Sequence, residues 1–170
     1  MSEPQVLVSS LTHDPDGNIN IGGWDSLLGV AQQIRLLAPS TISQVRVQLG
    51  KYVESVGPGG NLSTKIYACS GAFRSIDSKP TGDPIAISTN SIAAADVNNG
   101  YPGQVYDFTF NDVELTAGLY YVSIEISEQS GDGYMMVIEC GNWQEWLVPN
   151  LGAVGFFNSG NGWMSMHEWD

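Results

Sequence analysis

Short segments of alternating apolar and polar residues fill most of this chain, and clusters of turn-forming residues separate them. The clearest alternation occurs over residues 42–53, 62–69, 106–110 and 120–126. A period of two places every second side chain on the same face, which is typical of a half-buried β-strand. Because these segments recur at the spacing of sandwiches and barrels, the sequence predicts an all-β fold of about ten to twelve short strands.

Little or no helix is expected. Residues 27–37 carry apolar side chains at a helix-compatible spacing, but their glycine and β-branched residues weaken that alternative. Residues 92–97 are compatible with a single helical turn.

One packing motif favours an antiparallel sandwich over a closed barrel. Residues 115–120 read Leu-Thr-Ala-Gly-Leu-Tyr, which fits the L-x-x-G-x-Y pattern of a tyrosine corner. In such a corner the tyrosine hydroxyl bonds to a backbone group a few residues upstream and holds an arch between two sheets. We therefore predict a structural role for Tyr120.

From Ala31 onward, the order of several sequence blocks resembles a recurrent jelly-roll-like β-sandwich module. The matching blocks are residues 31–33, 42–51, 59–68, 80–86, 106–110, 115–121, 154–158 and 162–163. Such modules resemble parts of tailed-phage virion proteins (capsid decorations, head fibres and tail-associated proteins) and accessory domains of bacterial surface proteins. The resemblance implies a structural or binding role without catalysis, and it carries no defined set of functional residues.

The extent of this resemblance sets the predicted domain organisation. Residues 1–30 fall outside it and are expected to form an N-terminal hairpin or arm. Residues 31–170 are expected to form the β-sandwich, within a single globular domain overall.

Acidic residues outnumber basic ones by 18 to 6, so the formal net charge is −12. A surface of this sign does not hold a phosphate backbone and is repelled by anionic membranes, so we expect neither nucleic acid nor membrane as a partner. Charged residues make up only 14% of the chain, which indicates a surface of neutral polar groups. Residues 1–5 lack a basic n-region, so no signal peptide is expected.

The N-terminal segment contains the one pattern that suggests a metal. Asp14, Asp16 and Asn18 alternate as in the first half of a calcium loop, but the twelfth position, where glutamate is needed, is Asp25. The Asp-Pro-Asp-Gly sequence at residues 14–17 favours instead a tight turn between two strands. We expect no required cofactor, and incidental calcium binding is the alternative.

Residue types suited to catalysis do not form a recognisable motif. His13 and His167 are the only histidines, and no nucleophile elbow, zinc or phosphate-binding motif is present. Glu125 and Glu128, or Glu139 and Glu145, are candidates for a glycosidase pair. Glu125, however, occupies a strand position that we expect to face solvent, so we predict no enzymatic activity.

Cys69 and Cys140 are the only cysteines. Both lie near the ends of strand-like segments. A disulfide and two separate thiols are both compatible with these positions.

Tryptophan is concentrated near the C-terminus. Trp143, Trp146, Trp163 and Trp169 fall within the last 28 residues, and Trp24 is the fifth. An exposed tryptophan can stack on a sugar ring or anchor a protein contact, whereas a buried one caps the core. The four C-terminal tryptophans are therefore the candidate binding residues, for a glycan or a protein, and core capping is the alternative.

Taken together, these features predict a non-enzymatic virion structural protein at the particle surface, most specifically a phage capsid decoration or a head- or tail-associated protein. Its expected partners are capsid or other virion proteins, and it is expected to be a homo-oligomer or bound to a lattice. The alternative is a carbohydrate-binding β-sandwich module that stacks cell-surface sugars on exposed tryptophan and tyrosine.

Overall fold

The computed structural model describes seven stretches of the chain. They are residues 15–22, 27–51, 59–101, 103–128, 135–140, 151–158 and 160–165. For residues 15–20, 135–140 and 151 it describes the backbone alone.

Eleven β-strands and one turn of 3-10 helix form the regular structure of the described residues. The nine longer strands are β1 (Pro15–Ile21), β2 (Leu27–Leu36), β3 (Ser40–Lys51), β4 (Asn61–Ser70), β5 (Lys79–Ile87), β7 (Gln104–Leu115), β8 (Gly118–Ile126), β9 (Met135–Cys140) and β10 (Leu151–Asn158). The short strands are β6 (Ile92–Ala93) and β11 (Gly162–Met164), and the helical turn is Ala94–Asp96. The all-β prediction with little helix is confirmed.

The strands form two antiparallel sheets. The smaller sheet has the order β1-β9-β3-β7, and the larger has the order β11-β10-β2-β8-β4-β5, with β6 added to β4. Every ladder between named strands is antiparallel. The chain crosses repeatedly from one sheet to the other, and the result is the predicted antiparallel sandwich.

The N-terminal strand differs from the tight turn predicted at residues 14–17. Pro15 is the first residue of β1, and it pairs with Cys140 at the end of β9. The ladder is irregular between Pro15 and Gly17, where the turn-forming residues occur. Pairing with a distant strand thus overrides a local turn preference. The residues before Pro15, which include the other half of the predicted hairpin, lie outside the described residues.

The second strand crosses the predicted boundary between residues 30 and 31, because β2 begins at Leu27. β1 and β2 belong to different sheets of the same sandwich. The division into an N-terminal hairpin or arm of residues 1–30 and a sandwich of residues 31–170 stays a prediction.

The space between the two sheets holds the main apolar core. Leu49 of β3 and Phe108 of β7 belong to the same buried cluster as Leu62 of β4 and Ile124 of β8. Burial of a side chain of this size contributes about 2 kcal/mol. The predicted alternation therefore identified the inward face of these strands correctly.

One polar group lies within this core without a partner. The Thr64 hydroxyl is fully buried, and it makes no hydrogen bond to any group in the described part of the chain. Replacing Thr64 by valine keeps the shape and removes the unsatisfied group. We expect the free energy of unfolding to rise by about 1 kcal/mol, as measured by urea denaturation.

Thr89→Val is the matched control for this substitution. The Thr89 hydroxyl is exposed and lies 2.8 Å from the Thr109 hydroxyl. We expect this variant to lose a few tenths of a kcal/mol, since a hydrogen bond is removed without gain of burial. A Thr64→Val protein less stable than the wild type would contradict the prediction.

The larger sheet curls until its edge strands approach each other. β11 and β5 lie at opposite ends of the strand order but are in contact. A Cβ atom on Gly155 of β10 would lie only 2.7 Å from Cδ of Pro80 in β5, so glycine is needed for this approach. The outer face of the larger sheet becomes the inner wall of a half-barrel, which we call the concave face. Its buried residues include Gln33, Tyr67, Tyr121, Ser123 and Glu125.

Candidate functional site: the polar concave face

Two polar residues of β8 are buried, and for one of them, Glu125, the sequence predicted exposure. Ser123 is 1% exposed and Glu125 is 6% exposed. The prediction of a solvent-facing Glu125 is wrong, because alternation shows only which residues share a face. The curl of the larger sheet covers the second face as well, so both faces of β8 are buried.

Gln33 of β2 is the centre of the first buried polar cluster. Its amide nitrogen donates to Ser78 Oγ at 2.8 Å and to the carbonyl oxygen of Ala72 at 3.2 Å. Its amide oxygen accepts from the backbone N–H groups of Arg74 at 2.8 Å and of Ala153 at 3.2 Å. One fully buried side chain therefore connects β2 to β10 and to the loop between β4 and β5.

The loop between β4 and β5, residues 71–78, is fixed to the concave face, and we call it the anchored loop. The Tyr121 hydroxyl donates to the carbonyl oxygen of Ser78 at 2.9 Å. The Ser78 hydroxyl donates to the carbonyl oxygen of Ser70 at 2.7 Å. Arg74 has a φ of 64°, in the left-handed region that side chains other than glycine rarely adopt. Its hydrogen bond to Gln33 helps to hold this conformation.

Phe73 of the anchored loop lies against two arginines, Arg74 of the same loop and Arg35 of β2. The guanidinium carbons of Arg35 and Arg74 lie 4.2 Å and 5.1 Å from the centre of the Phe73 ring. Cation–π contacts near a surface contribute about 0.5–1 kcal/mol each. Ile76, further along the loop, is 52% exposed. The loop thus presents aromatic, aliphatic and arginine side chains together.

Cys69 is a free thiol next to the first cluster. Its Sγ atom lies 3.1 Å from Nε2 of Gln33 and 3.2 Å from Oγ of Ser78. Of the two alternatives for the cysteines, a disulfide at Cys69 is therefore excluded in this structure. The side chain of Cys140 lies outside the described atoms.

A second buried cluster on the concave face contains an ion pair. Nζ of Lys65 in β4 lies 2.6 Å from Oε2 of Glu125. Oε1 of Glu125 accepts hydrogen bonds from the hydroxyls of Tyr67 at 2.8 Å and Ser123 at 2.7 Å. We call Lys65, Tyr67, Ser123 and Glu125 the ion-pair cluster. Its lysine side chain is 24% exposed and its glutamate side chain is 7% exposed. Solvent therefore contacts the ion pair mainly at the lysine.

Trp163 of β11 borders the ion-pair cluster. Its ring meets Tyr67 edge-on at a centroid distance of 5.4 Å and lies 5.2 Å from the ring of Phe157. Among the predicted binding tryptophans, Trp163 is thus placed beside polar and aromatic partners. The others, Trp143, Trp146 and Trp169, lie outside the described residues.

Two tyrosines of the concave face are resistant to ionisation. Burial raises the pKa of both Tyr67 and Tyr121 well above the usual value near 10. The negative charge of Glu125 raises the pKa of Tyr67 further, while the neighbouring Trp163 indole lowers it by less. The folded protein therefore holds both phenol protons at a pH where an exposed tyrosine releases its proton.

This resistance predicts a loss of stability in alkali. Below about pH 10 both hydroxyls are protonated in the folded and unfolded chains, so pH has no effect through them. Above that pH only the unfolded chain releases the protons. The free energy of unfolding should then fall by about 1.4 kcal/mol per pH unit for each tyrosine.

Urea denaturation at pH values on both sides of 10 measures this slope. Tyr121→Phe should reduce the slope by the contribution of one tyrosine, about 1.4 kcal/mol per pH unit. The other tyrosines are common to both proteins and cancel in the comparison. A slope that Tyr121→Phe leaves unchanged would contradict the assignment.

Tyr120 lies at the arch between β7 and β8. Its hydroxyl donates at 3.1 Å to the carbonyl oxygen of Thr116, four residues upstream. Its ring packs against the buried cluster that contains Leu115. This is the bond by which a tyrosine corner holds its arch.

The predicted calcium ligands lie only partly within the described residues. Asp16 and Asn18 belong to β1, where the backbone alone is described, and Asp14 lies outside the described residues. The extended backbone of β1 differs from the coiled loop on which calcium ligands converge. Within the described ranges, no group of three or more His, Cys, Asp or Glu is placed to hold a metal. Incidental calcium binding stays a prediction.

The sequence interpretation did not single out Gln33, Lys65 or Tyr67. A weak signal exists, because β2 and β8 carry apolar residues on both of their faces, as strands covered on both sides do. A polar residue within such a strand needs a buried partner. The partners themselves come from other strands and leave no local signal.

Comparisons with known protein families, with curated proteins and with solved structures find no significant match to this chain. The resemblance to phage virion modules therefore stays a prediction. Among the described residues, no helix has the length and apolar character required to cross a bilayer.

Proposed function

We propose that this chain is a non-enzymatic structural protein of a phage virion, a capsid decoration or a head- or tail-associated protein that acts through protein–protein contacts at the particle surface. The observation that carries the proposal is the anchored loop. It is a surface loop fixed from beneath by a buried glutamine, and it carries a phenylalanine and an arginine, two residue types that are enriched at protein interfaces.

The energetics of the anchored loop favour a contact surface. Phe73, with Arg35 and Arg74 against its ring, and the exposed Ile76 supply the aromatic, arginine and aliphatic groups of such a surface. Association costs less when a loop is already ordered, because little conformational entropy is lost on binding. The hydrogen bonds of Gln33 fix the loop before any partner arrives.

The use of the buried polar groups supports a role without catalysis. The amide of Gln33 bonds to groups of the loop and of β10, and the carboxylate of Glu125 bonds to Lys65 and to two hydroxyls. A general acid or base must instead reach a substrate proton. The Gln33 amide and Oε1 of Glu125 are therefore engaged in holding the fold.

The outer edge of β7 is partly closed to strand pairing. The side-chain amide of Asn90 donates to the carbonyl oxygen of Asp107 at 3.0 Å and accepts from the N–H of Thr109 at 2.8 Å. The Asn90 side chain thus bonds to backbone groups of β7 that a further strand would otherwise pair with, and it hinders extension of the sheet at this edge. This favours assembly through side-chain contacts, such as those of the anchored loop.

Particles purified by density gradient from a lysate of the phage that encodes the chain provide the test. We expect the chain to band with the particles at a fixed ratio to the major capsid protein. Purified Ile76→Asp protein should rebind stripped particles at least tenfold more weakly than the wild type. Val105→Asp alters an exposed apolar residue of the smaller sheet and is the matched control. Absence of the chain from washed particles would overturn the proposal.

A further inference from the structure

Small residues of the larger sheet surround the ion-pair cluster. Gly29 of β2 lies opposite Glu125, and Ala31 lies opposite Ser123 on one side and Gly155 on the other. A Cβ atom on Gly29 would lie 2.7 Å from Cγ of Glu125. Glycine therefore gives the glutamate room to lie along the sheet, and the neighbouring positions add little bulk to this part of the concave face.

The ion pair retains unused hydrogen-bonding capacity. The Lys65 ammonium has three donors and, within the described residues, makes one hydrogen bond, to Glu125 Oε2. That oxygen accepts this single bond among the described groups, whereas a carboxylate oxygen can accept two. The lysine side chain is partly exposed and the Glu125 side chain is 7% exposed, so the donor lies at the solvent boundary with the acceptor next to it, just beneath the surface.

An aromatic wall stands next to this donor and acceptor. Trp163 is linked to the carboxylate through Tyr67, whose ring contacts the indole edge-on and whose hydroxyl donates a hydrogen bond to Glu125. Trp163 and the neighbouring Phe157 are each partly exposed. Across the ion pair, Ile87 of β5 lies opposite Lys65 and is exposed. Apolar surface thus flanks a charged pair on both sides.

We propose that Trp163 and the ion-pair cluster form a carbohydrate subsite that binds a pyranoside through two adjacent hydroxyl groups. One hydroxyl accepts from the Lys65 ammonium and its neighbour donates to Glu125, while the C–H face of the ring packs on Trp163. Fixed polar groups beside aromatic surface are the composition of a small-molecule site. A role in stability alone accounts poorly for the pair, since buried ion pairs contribute little net stability.

Saturation-transfer NMR and tryptophan fluorescence with methyl glucopyranoside, methyl mannopyranoside and methyl galactopyranoside test this inference. We expect saturable binding of at least one glycoside and none of its per-O-methylated derivative, which keeps the ring but has no hydroxyl donor. The inference would be overturned if the wild type bound none of the three glycosides, or if it bound the methylated form equally well.

Variants locate the binding. Lys65→Gln with Glu125→Gln replaces the ion pair by neutral amides of similar size and should weaken binding at least tenfold, while Lys65→Arg should retain it. Arg46→Gln with Asp107→Asn removes an exposed ion pair of the smaller sheet and is the matched control, expected to bind as the wild type does. Undiminished binding by a folded Lys65/Glu125 double variant refutes the site. If that variant does not fold, the comparison with the methylated probe still decides the outcome.

The subsite goes beyond the proposed function, because attachment to a particle requires no sugar. A chain that bands with virions and binds no glycoside would overturn the subsite and leave the proposed function standing. A chain that binds a glycoside through Lys65 and Glu125 and is absent from virions would overturn the proposed function and leave the subsite standing.

Discussion

Replacing Gln33 by leucine is expected to lower the free energy of unfolding by about 3–5 kcal/mol. Leucine occupies a similar volume but has no polar atoms. The N–H groups of Arg74 and Ala153 and the carbonyl oxygen of Ala72 would each lose the partner that they have in the fold. A buried polar group without a partner costs about 1–3 kcal/mol, and water that reaches the loop offsets part of the sum.

Urea denaturation measures the loss, with Gln44→Leu as the matched control. Gln44 is exposed on β3, so its replacement should change stability by no more than about 0.5 kcal/mol. Trypsin gives a second readout, because Arg74 lies within the anchored loop. Cleavage after Arg74 should be faster in Gln33→Leu than in the wild type under folding conditions. Equal stability of the Gln33 and Gln44 variants would show that the hydrogen bonds to Gln33 contribute nothing.

Alternation and turn chemistry were sufficient to predict the fold class and several elements. Strands β10 and β11 form a hairpin next to the turn-forming sequence at residues 159–162, with Asn158 opposite Gly162. The inward faces of β4 and β7 also follow the pattern, since Leu62 and Phe108 are fully buried. These features depend on the residues of a single strand or turn, and such residues carry their own signal.

The polar concave face could not be predicted in the same way. Gln33 bonds to groups 39 and 120 residues away in the chain, and these meet only because the larger sheet curls. The curl itself depends on the close approach of β10 to β5 at Gly155. The sequence contains 20 glycines, and nothing in the sequence around Gly155 distinguishes it from the others. The pattern for β8 placed Glu125 on the second face correctly, but it contains no information about what covers that face.

Replacing Glu125 by leucine is expected to cost about 2–4 kcal/mol. Tyr67 and Ser123 would lose the acceptor of their hydroxyl protons, and Lys65 would lose its counter-charge. The cost is somewhat less than for a fully buried pair, because the lysine side chain is partly exposed and can turn its ammonium toward water.

A double-mutant cycle separates the ion pair from the rest of this cost. Lys65→Met removes the cation and leaves the carboxylate with its two hydroxyl donors. Combined with Glu125→Leu, it removes both charges, so neither ion of the pair is left without its partner. The double variant should therefore be more stable than the sum of the two single losses predicts, by about 1–2 kcal/mol.

The same cycle on Arg46 and Asp107 is the matched control. That pair lies on the smaller sheet with side-chain exposures of 57% and 52%, and its coupling energy should stay below about 1 kcal/mol because water screens it. Added salt should reduce the Arg46–Asp107 coupling and change the Lys65–Glu125 coupling much less. Equal coupling energies with the same salt dependence would mean that Glu125 is solvated in solution, and would contradict the curled sheet that buries it.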